Sequence, residues 1–306
     1  MELTVEFPSV AYREGHEAVT RMAQEIERIG YDRIDIFDHV VMGYPVDGRP
    51  PSPYPAKMPI LEALTLAAHL AAVTKKVGLG TEVLVLPQRD AVLTAKQVST
   101  IDTLSGGRMR LGVGVGWQPC EYEALGFDYA DRGKRMDEAI ELVRACWREE
   151  RLDHQGAYFT VNAMAMEPKP PQGAGLPLWV GGNSGAAYRR VGKLGDGWLA
   201  SRVDDAASAA AAMDQIKEAA TKAGRDPDKL GFQSMLAPPP SDDDAAGKTF
   251  YADHQRVADR VAALKEMGFG AAALNATAIF QAGARSVDAM TEELEKLHTA
   301  IRKTAG

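Results

Sequence analysis

Residues 76–117 read KVGLGTEVLVLPQRDAVLTAKQVSTIDTLSGGRMRLGVGVGW and contain the clearest structural pattern of the chain. The β-branched run at 77–86 predicts a strand, and residues 90–104 have the apolar spacing of a helix. Ser105, Gly106 and Gly107 predict a turn, after which RMRLGVGVG at 108–116 predicts a second strand. A strand, a helix and a strand in this order indicate a parallel βαβ unit.

The same alternation extends over the whole chain and gives eight predicted strands. They lie at 3–7, 33–37, 77–86, 108–116, 177–182, 195–201, 230–236 and 271–276. Helical patterns occur at about 16–30, 61–74, 90–104, 132–150, 185–194, 206–223 and 256–267, and a C-terminal helix follows the last strand. Eight strands alternating with helices predict an α/β fold of the (β/α)8 type, a TIM barrel, with an open doubly wound sheet as the alternative.

The remaining segments are interpreted as loops and an insertion within one domain that spans residues 1–306. The proline-rich passage at 42–59 has no periodicity and predicts a loop, in which Tyr44, Arg49 and Tyr54 either contact a substrate or only decorate the surface. The acidic residues 241–244 predict a surface loop rather than a domain boundary. Residues 117–175 predict an insertion between strands four and five.

Composition narrows the class of protein. Of the 306 residues, 45% are hydrophobic and 25% are charged, which is ordinary for a soluble globular chain. A formal charge of −7 disfavours nucleic acid as a partner. The two cysteines cannot form a disulfide framework, and neither they nor the six histidines have metal-ligand spacing, so no metal site is predicted. No signal segment or membrane-spanning run is recognised, which predicts a cytoplasmic protein that does not associate with membranes.

If the fold is a barrel, its chemistry belongs at the carboxyl ends of the strands. Asp38 and His39 follow strand two. Histidine is suited to proton transfer near neutral pH, and a neighbouring carboxylate can orient it. The alternative is an aspartate that caps a helix beside a histidine bonded to the loop.

Glycines mark the ends of strands four and five. Gly114 and Gly116 precede Trp117, and glycine in a strand allows another surface to approach the backbone, either a flat ring or a crowded barrel interior. Strand five runs into Gly181, Gly182, Asn183 and Ser184 and then into a predicted helix. Such a turn offers backbone N–H groups and a helix N-terminus to a phosphate, although Asn183 or Ser184 alone would suffice as an N-cap.

Three strings resemble one known family. The stretch 76–117, PLWVGGNSGAAYRRVGKLGDGWL at 177–199 and the Asp38-His39 pair are similar to the luciferase-like monooxygenase superfamily, in particular to its coenzyme F420-dependent oxidoreductases. The helix RGKRMDEAIELVRACW at 132–147 also matches the family pattern. The resemblance covers most of the chain and is weakest at 42–57 and 237–256.

The resemblance implies a TIM barrel, commonly a homodimer, that holds a tricyclic ring at the strand carboxyl ends. It assigns Gly181, Gly182, Asn183 and Ser184 to the cofactor phosphate, and Gly114, Gly116 and Trp117 to the ring and the mouth. It makes His39 the candidate acid/base, tuned or oriented by Asp38. It also implies a non-proline cis peptide bond under the ring at Glu82–Val83. Several family members have Gly or Ala where Glu82 stands, so an acid at this place is a departure.

The function implied is hydride transfer between coenzyme F420 and a small organic substrate. The alternative is an FMN-dependent monooxygenase that uses reduced flavin and oxygen. The cofactor decides between these reactions, because deazaflavin lacks the N5 atom on which the oxygen chemistry of flavins depends. A third possibility from another class is a barrel that binds the cofactor without turnover.

Overall fold

Eight parallel strands close into a barrel in the computed structural model, which describes residues 1–49, 52–238 and 248–305. The strands are β1 (Glu2–Glu6), β2 (Arg33–Ile36), β3 (Gly78–Thr81), β4 (Leu84–Val85), β5 (Met109–Gly114), β6 (Leu152–Gln155), β7 (Thr160–Met164), β8 (Leu178–Gly181), β9 (Gly197–Ala200), β10 (Gly231–Met235) and β11 (Ala271–Asn275). The barrel order is β3-β2-β1-β11-β10-β9-β8-β5, and pairing of β3 with β5 closes the ring. The predicted barrel is confirmed, and the open sheet is excluded.

The third predicted strand is interrupted. It consists of β3 and β4, separated by Glu82 and Val83, whose peptide bond is cis. Both halves lie beside β5, so the two strands count as one stave of the barrel. The cis bond is at the position that the family resemblance implied.

Helices surround the barrel. They are α1 (His16–Ile29), α2 (Ala63–Val73), α3 (Ala91–Ser105), α4 (Pro119–Ala124), α5 (Arg132–Arg148), α6 (Gly185–Leu194), α7 (Ala206–Lys222), α8 (Lys248–Ala252), α9 (His254–Glu266), α10 (Ala276–Ala282) and α11 (Val287–Ala305). The eight long helices were predicted, and Gly30 ends α1 in the left-handed conformation expected of a C-cap. The sequence prediction missed α4, α8 and α10, because one or two turns are too short to show a periodic pattern.

Residues 117–175, predicted as an insertion, contain two different parts. Helix α5 packs against α3 and α6 and so belongs to the outer helical ring. The antiparallel pair β6–β7 is a separate two-stranded sheet. The predicted acidic loop at 241–244 lies outside the described residues, as do residues 239–247 of the weakly matching segment at 237–256.

Strand alternation gives the barrel a polar interior. Leu3 and Val5 of β1 join the hydrophobic core between strands and helices. Thr4 points inside, where its hydroxyl donates to Gln233 Oε1 of β10 at 3.2 Å. The buried inward-facing polar side chains are Thr4, Glu6, Asp35, Glu82, Arg110 and Gln233. Above this layer, towards the carboxyl ends of the strands, the interior opens into a cavity.

No helix within the described ranges has both the length and the apolar composition needed to cross a lipid bilayer.

Candidate functional site

A cavity of about 410 Å³ lies at the carboxyl ends of the barrel strands. Most of the residues that the sequence singled out line it: Asp38, His39, Glu82, Val83, Gly114, Gly116, Trp117, Gly181 and Gly182. The loop after β2, the break between β3 and β4, and the ends of β5 and β8 each contribute part of the wall. The cavity therefore joins the proposed acid/base to the glycine-rich turn.

His39 is held by a carboxylate from a distant part of the chain. Its Nδ1 atom lies 2.8 Å from Glu121 Oε2 in α4, and both side chains are buried. Glu121 Oε1 also accepts hydrogen bonds from the backbone N–H groups of Val40 and Val41, at 2.7 and 3.2 Å. Burial acts to raise the pKa of Glu121, but the hydrogen bonds from His39 and the two amides outweigh it and hold that pKa below its usual value. Glu121 thus remains ionised and fixes the imidazole in place.

Asp38 does not have the role that its position beside His39 suggested. Its carboxylate accepts two hydrogen bonds from the Arg89 guanidinium, each 2.9 Å, and one from the Val85 N–H at 2.9 Å. These bonds tie the loop after β2 to the segment that follows the cis peptide. The prediction that Asp38 orients His39 is wrong, because both Asp38 oxygens are bonded to Arg89 and Val85, whereas His39 is bonded to Glu121. Glu121 is the orienting acid.

Aromatic rings enclose the imidazole. The ring centroids of Phe37 and Trp117 lie 5.1 and 5.3 Å from that of His39, and both contacts are edge-to-face. Tyr54 lies 6.2 Å away and also lines the cavity. Tyr54 is therefore part of the site, whereas Tyr44 and Arg49 line a neighbouring surface cavity. Trp117, which is 38% exposed, stands at the mouth.

The glycines of β5 and β8 make room for Val83. A Cβ atom built on Gly114 would lie 2.4 Å from one Val83 methyl carbon, and one on Gly181 would lie 2.7 Å from the other. A Cβ on Gly116 would meet Val85 at 2.7 Å. The surface that approaches these glycines is thus a protein side chain. The interpretation that the glycines clear space for a ring directly is corrected: they seat Val83, which in turn forms the cavity wall.

The floor of the cavity is acidic. Glu82 Oε2 accepts a hydrogen bond from Gln233 Nε2 at 2.8 Å, and the same nitrogen donates to Asp35 Oδ2 at 2.9 Å. Asp35 is paired with Arg110 beneath them. Burial, followed by the charge of Asp35, raises the pKa of Glu82 well above its usual value. The same causes raise the pKa of Glu6 to about 8.

The turn after β8 leads from the cavity to the start of α6. Gly182 has φ +120°, a conformation that favours glycine. Ser184 caps α6 by accepting from the Ala187 N–H at 3.3 Å, and the Asn183 side chain donates to the carbonyl of Arg202. Both side chains are exposed and neither lines the cavity. The N-cap interpretation therefore holds for Ser184.

Sequence reasoning missed two functional candidates, Glu121 and Glu6, and left a third, Tyr54, between a substrate contact and loop decoration. Glu121 lies in a short helix and carries no local signal, since only the fold brings it to His39. Glu6 could have been found, because it ends strand one and the rule that chemistry lies at strand carboxyl ends applies to it as well.

A closed parallel barrel whose cavity at the strand carboxyl ends contains a glutamate-bound histidine and the glycines of the turn before α6 has the architecture of a barrel that acts on a ligand at this end. The model of the luciferase-like monooxygenase family matches residues 3–254. The chain belongs to this family.

Two relatives show how far the sequence similarity extends. An uncharacterized protein of Mycobacterium tuberculosis is 35% identical over 186 residues, which cover 58% of this chain and 63% of the relative. Pyrimidine monooxygenase RutA of Cronobacter sakazakii is 33% identical over 171 residues, which cover 54% of this chain and 50% of RutA. The chain thus matches between half and two thirds of the length of these curated relatives.

Two solved structures share the fold. An F420-dependent secondary alcohol dehydrogenase, in complex with an F420-acetone adduct, superposes with a TM-score of 0.79 at 18% identity, covering 98% of this chain and 99% of the other. The oxygenating constituent of 3,6-diketocamphane monooxygenase from Pseudomonas putida, in complex with FMN, gives a TM-score of 0.69 at 16% identity, covering 96% and 98%.

Proposed function

We propose that the chain is an oxidoreductase that transfers a hydride between coenzyme F420 and a small organic substrate, with His39 exchanging the accompanying proton. The observation that carries the proposal is the shared cavity. The Glu121-held imidazole of His39 lines the same cavity as Val83 and the glycine-bearing strand ends.

The residues of the cavity fit a planar ring with an anionic tail. Val83, seated on Gly114 and Gly181, would offer an apolar surface to the ring. Beyond Gly182, the first N–H groups of α6 have no partner within the helix, which favours an anion at this end. The guanidinium of Arg189 adds a positive charge there, since its Nη1 lies 3.4 Å from where a Cβ of Gly185 would stand. Asn183 and Ser184 contribute through the backbone of the turn.

When bound, the deazaflavin supplies a carbon that gives or accepts the hydride. His39 would handle the proton through Nε2, because Nδ1 is engaged by Glu121. An ionised Glu121 stabilises the imidazolium and, when the imidazole is neutral, keeps the hydrogen on Nδ1 and leaves Nε2 as the acceptor. Phe37, Tyr54 and Trp117 exclude water from the imidazole. Asp38 acts through the backbone of the loop, as a positioning residue.

An FMN-dependent monooxygenase remains the second candidate. It is favoured by the sequence identity to pyrimidine monooxygenase RutA, which is 33% over the 171 matched residues. The identity to the F420-dependent secondary alcohol dehydrogenase is 18%. A barrel that binds the cofactor without turnover is the third candidate. The buried His39–Glu121 pair argues against it, because a cavity that only binds a ligand does not require a carboxylate-oriented imidazole on its wall.

We also propose a homodimer. Large apolar side chains at Leu93, Leu104 and Met164 are each more than half exposed. Light scattering after size exclusion should give twice the mass of the chain, and a monomer at micromolar concentration would refute this part of the proposal.

The cofactor assignment is tested by titrating the purified protein with coenzyme F420 and with FMN while following fluorescence. We expect F420 to bind at least tenfold more tightly. A preference for FMN would overturn the assignment in favour of the monooxygenase.

The proposed binding site for the anionic tail of the cofactor, at Gly182 and the start of α6, is tested by Gly182→Leu. Gly283→Leu is the matched control. Both glycines have positive φ, +120° and +133°, but nothing lies within 4 Å of a Cβ on Gly283. We expect Gly182→Leu to weaken cofactor binding by about tenfold or more and Gly283→Leu to leave it unchanged. Equal affinities in the two variants would show that the anion lies elsewhere.

A further inference from the structure

Two carboxyl groups at the cavity floor lack the partners that buried acids usually have. Glu6 is 7% exposed and Glu82 is 9% exposed, and both line the cavity. Within residues 1–49, 52–238 and 248–305, no donor reaches the Glu6 carboxyl group. In the same part of the chain, Glu82 Oε1 has no hydrogen-bond partner, whereas Oε2 is bonded to Gln233. Both carboxyl groups therefore line the cavity while keeping acceptor capacity that no donor in the described part of the chain uses.

The charges of the barrel interior are also unequal. Glu6, Asp35 and Glu82 are three buried carboxyl groups, and Arg110 is the one buried guanidinium among the inward-facing residues described above. Arg110 is already committed, because it bonds to Asp35 and to Gln233 Oε1. Asp35 thus has its counter-ion, and the two acids above it have none. Buried acids in this position either hold a proton or meet a cation from outside.

Glu6 can be reached from two sides. A second cavity of about 560 Å³ adjoins the first, and Glu6, Phe37, Tyr54 and Asn275 line both. A small organic molecule can therefore extend from the outer cavity past Tyr54 to Glu6. This route does not pass the turn at Gly182, where the cofactor tail is proposed to bind.

We propose that Glu6 and Glu82 form a subsite for a positively charged N–H group of a small organic ligand, such as a primary ammonium or an amidinium. That this ligand is the substrate depends on the proposed function, but the subsite itself does not. The two carboxyl groups would supply acceptors on one side of the cation, and the rings of Phe37 and Tyr54 would pack against its carbon skeleton.

A cationic N–H group is expected to bind here because charge-assisted hydrogen bonds are strong in a site shielded from water. Without a cation Glu6 is protonated near neutral pH, since burial and the Asp35 charge raise its pKa to about 8. The same causes raise the pKa of Glu82 well above its usual value. A bound ammonium favours the ionised carboxylate, so that binding releases a proton from the protein. The ionisable groups near Glu6 are Asp35, Glu82, Tyr54, Tyr251 and Arg110, with Arg13 and Lys57 on the walls of the second cavity.

The proposal is tested with benzylamine and its neutral counterpart benzyl alcohol. Calorimetric titration at pH 7 in two buffers of different ionisation enthalpy measures both affinity and proton release. We expect benzylamine to bind at least tenfold more tightly than benzyl alcohol, with release of a fraction of a proton. Equal binding of the two compounds would overturn the proposal.

Variants test whether Glu6 and Glu82 cause the preference for benzylamine over benzyl alcohol. Glu6→Gln is expected to abolish the preference for the amine, and Glu82→Gln to reduce it severalfold. Glu293→Gln, which neutralises a half-buried acid on α11 far from the cavity, should keep the full preference. A Glu6→Gln variant that still prefers the amine tenfold would contradict the assignment.

Infrared difference spectroscopy of the unmutated protein gives a second readout. Addition of benzylamine should remove intensity from the C=O band of protonated carboxyl groups, and an unchanged band would contradict the proposal. Neither measurement uses coenzyme F420. Failure of amine binding with normal cofactor binding would reject this subsite alone, whereas the reverse result would reject only the cofactor assignment.

Discussion

Two histidine–glutamate pairs in this protein have the same hydrogen-bond length and very different surroundings. His39–Glu121 and His254–Glu293 both measure 2.8 Å. The side chains of the first pair are 3% and 1% exposed and face a cavity, whereas those of the second are 29% and 30% exposed and join α9 to α11. The comparison shows that the hydrogen-bond distance of a His–Glu pair does not by itself identify a functional site. Burial and access to a cavity decide whether such a pair is available for chemistry or only bridges two helices.

The largest expected difference between the two pairs is in how much each stabilises the folded protein. Glu121→Ala leaves the imidazole and the amides of Val40 and Val41 without their acceptor in a buried place, and should lower the free energy of unfolding by about 3 kcal/mol. Glu293→Ala removes a solvent-screened pair and should cost less than about 1 kcal/mol. Urea denaturation of both variants measures the two values, and similar losses would contradict the distinction.

The next difference concerns which acid supports His39. Glu121→Gln should lower turnover by about tenfold or more with a small change in substrate affinity, because it removes the charge that stabilises the imidazolium. Asp38→Asn should instead lower the free energy of unfolding by about 2 kcal/mol, since it weakens the bonds to Arg89 and Val85. Steady-state rates and urea denaturation of both variants separate the two roles. If Glu121→Gln had normal turnover, the His39–Glu121 pair would be structural.

A further expected difference is a pH dependence of stability. Glu6 keeps its proton in the folded protein up to about pH 8, whereas in the unfolded chain it ionises near the ordinary pKa of 4.5. Between these values the folded state binds more protons, so rising pH favours unfolding, by up to about 1.4 kcal/mol per pH unit. Glu6→Gln removes this contribution, and its stability relative to the unmodified protein should increase from pH 5 to pH 8.

Glu293 gives the opposite sign. Burial acts to raise its pKa, but the bonds from Lys296 and His254 outweigh this and hold the pKa below its usual value. Its contribution to stability is present above the usual pKa and is lost as the pH falls through the lowered one. Glu293→Gln should therefore lower the free energy of unfolding above the usual pKa, and this loss should disappear as the pH falls through the lowered one. Parallel pH profiles for the Glu6 and Glu293 variants would refute the contrast.

The fold was largely predictable from the sequence. Period-two strands and long amphipathic helices have strong local signals, and their alternation leaves few architectures. The short helices α4, α8 and α10 were not predictable in this way, because they are set by the packing of loops around the barrel mouth. The break at Glu82–Val83 was expected only through the family resemblance, since nothing in a β-branched run signals it.

The site was predictable in position and less so in its contacts. The strand-end rule and the resemblance correctly brought His39, Val83, Gly181 and Trp117 to one cavity. They did not reveal that Glu121, 82 residues away, holds His39, because such a pair depends on tertiary structure alone. Adjacency in sequence favoured Asp38 instead, but the Asp38 carboxylate is bonded to Arg89 and not to His39.

His39 is the group proposed to exchange the proton, and hydride transfer in this site depends most on it. The direct measurement is the rate at which His39→Ala and His254→Ala oxidise reduced coenzyme F420 with an accepted organic substrate, at saturating concentrations of both. We expect His39→Ala to be slower than the unmodified protein by about 100-fold or more, and His254→Ala to remain within about twofold. A His39→Ala enzyme as fast as His254→Ala would contradict the account.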